Sequence, residues 1–208
     1  MHRPRPSSVA KATFFVILAG ATLAAGGAEA PSPPPSEAPS DPWQPFAVFL
    51  GSWQGEEVGI FGRGAGERSY RMILQGRYLL AENHSVFPPQ EGLPEGEDHE
   101  DWAVFGYDRS RATYVIRQFT SEGYVNRYIL DPSSEVPERM VFVSEASENA
   151  PPGLRTRLSY ELLGDDEFTE VFEIAPPGKD FGVVIRNRWR RVGGPPSEPP
   201  PPPAAHPE

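Results

Sequence analysis

Residues 154–162 alternate without a break. Leu154, Thr156, Leu158, Tyr160 and Leu162 share one parity; Arg155, Arg157, Ser159 and Glu161 share the other. Successive side chains of an extended strand point to opposite faces, so this period of two specifies a strand with one buried face. The pattern recurs at Tyr70-Met72-Leu74, Tyr78-Leu80-Glu82-His84-Val86, Tyr114-Ile116-Gln118 and Tyr124-Asn126-Tyr128-Leu130. It returns at Phe168-Glu170-Phe172-Ile174 and at Phe181-Val183-Ile185-Asn187-Trp189, whose opposite face carries Arg186, Arg188 and Arg190.

Turn residues separate these runs, as at Gln75-Gly76, Asp108-Arg109-Ser110-Arg111 and Gly164-Asp165-Asp166. No helical period intervenes, so the segments read as one antiparallel meander. An open meander of about ten strands leaves two long unpaired edges, and closing it removes both. The expected fold is all-β: a single up-and-down antiparallel barrel of about ten strands, with a β-sandwich as the alternative. The one helical candidate is a short turn at residues 45–50, just before Gly51.

Composition divides the chain. Arg3, Arg5 and Lys11 precede an apolar stretch at 12–25 that is short for a bilayer span, and Ala28-Glu29-Ala30 fits a small-residue cleavage site. Residues 1–30 therefore read as a signal peptide, with an uncleaved anchor as the alternative, and the expected location is the periplasm or the exterior. Residues 31–45 contain seven prolines and 193–208 contain eight, which keeps both segments extended and solvated. They read as a Pro/Ser-rich linker and a disordered Pro-rich tail around a barrel at 46–192. With no cysteine in the chain, disulfides and thiolate metal sites are excluded, and packing alone must hold the domain.

The formal charge is −10; cleavage after residue 30 removes three basic residues and one acidic residue, giving −12. Such a chain repels phosphate backbones, so no nucleic-acid partner is expected, nor insertion into a membrane once the signal is removed.

The segments "LGSW", "QGRYLLAENHSVF", "VFGYDRSRATYVIRQF" and "NRWRRV" resemble a bacterial domain family of unknown function with a calycin-like barrel. More broadly, the chain resembles lipocalins, fatty-acid-binding proteins and nitrobindin-like barrels. The likeness spans about residues 46–192, and its motifs are structural. It implies that Trp53 plugs the closed end beneath an arginine of the last strand, here Arg188 or Arg190; a guanidinium on an indole is favourable by roughly 0.5–2 kcal/mol. It does not carry heme ligation, because residues 154–192 contain no histidine, and no cofactor is expected.

On the face assigned to the interior, a polar minority accompanies the apolar residues. The candidate ligand-binding residues are Tyr78, Glu82, His84, Tyr114, Gln118, Asn126, Tyr128, Glu170 and Asn187, with Thr156 on the same face. Polar groups are costly to bury dry, so they either satisfy each other in a filled core or line a wet cavity. A cavity would suit a small apolar or amphipathic molecule, bound without being transformed. The alternatives are an enzyme that draws on Glu82, His84 and Glu170 for acid–base or metal chemistry, and a filled-core barrel that acts as a structural or interaction module. The acidic segment 91–101, with His99, reads as a solvated loop over one barrel end, with a Ca²⁺ site as the alternative, although it lacks the regular ligand spacing of a calcium loop. No metal ligand is assigned and no oligomeric state follows.

Overall fold

The alternating segments form ten strands: β1 (Gly51–Gly59), β2 (Gly62–Ile73), β3 (Tyr78–Phe87), β4 (Glu97–Asp108), β5 (Thr113–Thr120), β6 (Val125–Leu130), β7 (Arg139–Glu148), β8 (Arg155–Gly164), β9 (Glu167–Ala175) and β10 (Gly182–Val192). The computed structural model describes residues 41–60 and 62–193. Each strand pairs antiparallel with its sequence neighbours, and β1 pairs with β10, so the sheet closes as an up-and-down barrel with no edge. The signal-peptide and tail expectations, and most of the linker, lie outside the described residues.

A short 3₁₀ turn, Gln44–Phe49, precedes β1. It starts inside the segment expected to be linker, because Trp43 and Phe46 are needed as packing groups: both rings contact Tyr114, whose hydroxyl donates to the Pro42 carbonyl at 2.6 Å. Phe49 continues the cluster onto Tyr70 and Phe168, at ring separations of 5.5 and 5.2 Å. Phe105, Phe142 and Tyr160 extend it across the barrel. This aromatic core fills the half of the lumen nearest the turn.

Trp53 is buried within this plug, donating its indole N–H to the Phe49 carbonyl at 2.7 Å and packing edge-on to Phe168. The arginine over it is Arg191, at 4.3 Å from the ring centre, rather than Arg188 or Arg190. Arg188 and Arg190 lie on the outer face, where both donate to Glu167. Alternation decides this: Asn187, Trp189 and Arg191 share the inward parity of β10.

Trp189 also explains two of the glycines of the first hairpin, Gly55 and Gly66. It stands opposite Gly55 in the β1–β10 register, and Gly55 stands opposite Gly66 on β2. A Cβ at Gly55 would lie 2.6 Å from the indole, and one at Gly66 would lie 2.7 Å from it. The ring occupies the space the two missing side chains leave open.

Three further sequence expectations are corrected. In β3 the inward parity is Leu79, Ala81, Asn83, Ser85 and Phe87, so Tyr78, Glu82, His84 and Val86 face outward. The misassignment has a physical cause: near the cavity the lumen wall is polar, Asn83 and Ser85, while the outside carries Val86, so hydrophobicity points the wrong way. In β10 an extra residue between Val183 and Ile185 shifts the register, leaving Val183 exposed and Val184 buried. Residues 97–101 are the start of β4, not a loop, and alternate with Glu97, His99 and Asp101 on the inner parity.

Candidate functional site

Beyond the aromatic plug, the other half of the lumen encloses a cavity of about 310 Å³. It reaches from mid-barrel to the strand ends at Phe87, Glu97 and Thr120. Its floor is polar and charged; above the floor the wall is apolar on the β8–β10 side, with Leu154, Phe172, Ile174, Val184 and Ile185, and charged on the β4–β5 side, with Glu97, His99 and Glu122.

Arg68 organises one side of the floor. Its guanidinium lies 4.3 Å from the centre of the Trp189 ring, so it stacks on an indole already held against Gly55 and Gly66. Its Nη1 is 2.8 Å from Glu170 Oε2, its Nε donates to Asn83 Oδ1, and both charged side chains are about 95% buried, at 6% and 5% exposure. Glu170 Oε2 also accepts from the Trp189 indole N–H and the Asn187 amide, each at 3.1 Å. A buried ion pair survives when further hydrogen bonds satisfy its partners, and here each charge has them. The Asn187 Oδ1 is buried with no hydrogen-bond partner among the described residues.

A second chain runs Asn83 to Ser85 to Glu57. The Asn83 amide donates to Ser85 Oγ, which donates to Glu57 Oε1 at 2.7 Å. Glu57 is 3% exposed, and burial pushes its pKa up; the Ser85 hydroxyl and the Arg68 charge only partly offset this.

Across the lumen, Gln118 donates to Asp101 Oδ1 and accepts from Asn126 and Tyr128, whose hydroxyl accepts in turn from Thr156. His99 sits between two carboxylates, 2.6 Å from Glu122 and 3.4 Å from Asp101. Burial pulls its pKa down, but these contacts outweigh burial and hold it at about 9, so it is a cation at neutral pH. Burial would raise the Asp101 pKa, yet His99, Arg68 and Gln118 hold it below the usual carboxylate value. Glu97, His99 and Glu122 bring one imidazole nitrogen and two carboxylate oxygens within 4.8 Å of one another, a donor set suited to a divalent cation if His99 gave up its proton.

Of the residues expected to contact a ligand, Gln118, Asn126, Glu170 and Asn187 line the cavity, as does Thr156. Tyr128 supports them from below. Tyr114 faces inward but belongs to the plugged end. Tyr78, Glu82 and His84 lie outside the barrel, where Glu82 pairs with Arg71 at 3.0 Å and His84 with Asp98 at 2.8 Å. The grouping of Glu82 and His84 with Glu170 therefore does not assemble. Sequence reasoning passed over Arg68 and Glu57 inside the lumen, and it placed His99 and Asp101 in a solvated loop rather than on a lumen-facing strand. Parity held a signal for the first two: Arg68 is two residues from Tyr70, and Glu57 is four from Trp53.

Fold and site together define a closed ten-stranded antiparallel barrel with one plugged end and a polar-floored cavity in the other half. Among solved structures the chain is similar to Rv2717c from M. tuberculosis, with a TM-score of 0.57 and 13% identity over 73% of this chain and 97% of that one. Looser matches are a redesigned β-barrel, mFAP0, bound to DFHBI (TM-score 0.39, 7% identity, 69% of this chain and 99% of that one) and a de novo designed fluorescence-activating β-barrel (TM-score 0.39, 12% identity, 70% and 94%). At these identities the likeness concerns the fold alone, and the two designed barrels carry no argument about function. No protein-family model matches the chain, and no curated protein matches it.

Proposed function

We propose that this protein is an exported, calycin-like barrel that binds a small amphipathic molecule in its lumen without transforming it. The observation that carries this reading is the 310 Å³ cavity with a hydrogen-bonding floor and a wall that is apolar on its β8–β10 side. That volume lies at the lower end of the roughly 300–1,000 Å³ typical of small-molecule sites. The floor offers a polar head group hydrogen-bonding partners, and the β8–β10 side of the wall offers an apolar body contacts. Export rests on the basic-then-apolar N-terminus of the sequence.

The test is uptake of Nile red, an uncharged dye that brightens in apolar surroundings. Wild-type protein should bind it with saturation, and Ile174→Trp, which adds bulk to the cavity wall, should abolish the signal while leaving the melting temperature near wild type. Absence of uptake, or uptake indifferent to Ile174→Trp, overturns the reading.

A further inference from the structure

The charges of the lumen restrict what head group it accepts. Five carboxylates line the cavity, those of Glu57, Glu97, Asp101, Glu122 and Glu170, against the two cations Arg68 and His99. Both cations are already engaged. Arg68 is stacked on Trp189 and held to Glu170 and Asn83. His99 is held between Asp101 and Glu122. An anionic head group would have to displace Glu170 from Arg68, at a site where unpaired charge is expensive. Glu57 is the opposite case: it is 3% exposed, it lines the cavity, and its only side-chain hydrogen bond among the described residues comes from Ser85. Asn187, 8% exposed on the same floor, holds a second acceptor, Oδ1, with no partner among those residues.

We infer that the lumen selects amphipathic molecules with a protonated amine head group and rejects carboxylates, the ammonium pairing with Glu57 and the apolar body lying against Phe172, Ile174 and Val184. This rests on the lumen-binding reading above and names its ligand class. A bare divalent cation would make no use of the apolar wall, and the carboxylates of Glu57 and Glu170 lie outside the Glu97–His99–Glu122 group.

Octylamine, octanol and octanoate share one apolar body and differ only in head group. Their binding to the wild-type protein is measured by calorimetry near neutral pH and physiological salt. Octylamine is expected to bind at least about tenfold more tightly than octanoate, since a partly desolvated ion pair is favourable where a like-charge contact is not. Glu57→Gln should remove most of the amine's advantage over octanol and leave octanol unchanged. Octanol binding with octanoate equal to or tighter than octylamine overturns the head-group inference and leaves the lumen reading intact. Failure of all three to bind overturns both. Amine binding that is unchanged in a folded Glu57→Gln variant, or that disappears at high salt, assigns the amine to the acidic exterior and overturns the inference. The wild-type comparison stands even if Glu57→Gln does not fold. Competition by Zn²⁺ or Mn²⁺ that Glu122→Gln abolishes, without an amine preference, would assign the charge excess to a metal and also overturn it.

Discussion

Arg191 and Trp53 face each other directly across the β1–β10 pair, with the guanidinium 4.3 Å from the indole centre. Arg191 also donates to the carbonyls of Val48 and Leu50, each at 2.6 Å, and to that of Asp165 at 2.8 Å. The first and last strands are thereby joined to the 3₁₀ turn that seals the barrel.

Removing either partner should loosen that seal. Trp53→Ala is expected to destabilise by about 3–5 kcal/mol, as for other buried aromatics. Arg191→Ala should cost about 2–3 kcal/mol through its lost carbonyl bonds and ring contact. Arg188→Ala and Arg190→Ala, on the outer face, should leave the unfolding midpoint close to that of the wild type. Urea unfolding of the four variants checks the assignment; equal costs at 188, 190 and 191 would contradict it.

The buried Arg68–Glu170 pair should behave as a unit. Arg68→Met or Glu170→Gln alone leaves the other group without its partner, at a cost of about 3–5 kcal/mol. The double variant should be less destabilised than the sum of the two, and a double-mutant cycle by chemical denaturation measures the coupling.

His99 gives the fold a dependence on pH. Its folded pKa of about 9 stands above the unfolded 6.5, so its contribution is fully present below pH 6.5 and is lost as the pH rises through 9. Because Glu122 is partly exposed, the loss should be about 1 kcal/mol rather than that of a fully buried pair. Thermal melts from pH 6 to 10 should show it in the wild type and a flatter profile in His99→Gln.

Glu57 carries the opposite sign. Its folded pKa is raised above 4.5, so the folded state favours the protonated acid, and stability falls as the pH climbs from 4.5 through the folded value. Glu57→Gln keeps an oxygen to accept from Ser85 and has no charge to desolvate. It should therefore raise stability at neutral pH, with no gain in acid. A lower melting temperature at pH 7 would show that the ionised carboxylate is better satisfied than its surroundings suggest.

Glu82→Gln and His84→Ala, on the outer face of β3, should each change stability by no more than about 0.5 kcal/mol and leave dye uptake unaltered. Weakened uptake in either would return these residues to the site.

The sequence by itself determined the strands and their closure. A period of two along β8 and β9 states which residues share a face, and a long antiparallel meander without covered edges has one economical way to end. It also contained the plug: Trp53 and its inward-pointing arginine follow from parity, provided the parity of Trp189 is extended to Arg191 rather than to its neighbours. Only the tertiary structure decided which face of β3 is the inside, because that depends on whether the lumen is dry or wet where the strand crosses it. Beside the plug both parities are apolar, Leu79 and Ala81 facing in and Tyr78 and Leu80 facing out; beside the cavity Asn83 and Ser85 face in and Val86 faces out. The site had to wait for the closed barrel for the same reason. Arg68, Glu170 and Glu57 come from three separate strands, and a hydrogen bond or ion pair between them depends on distances across the lumen that no local pattern encodes.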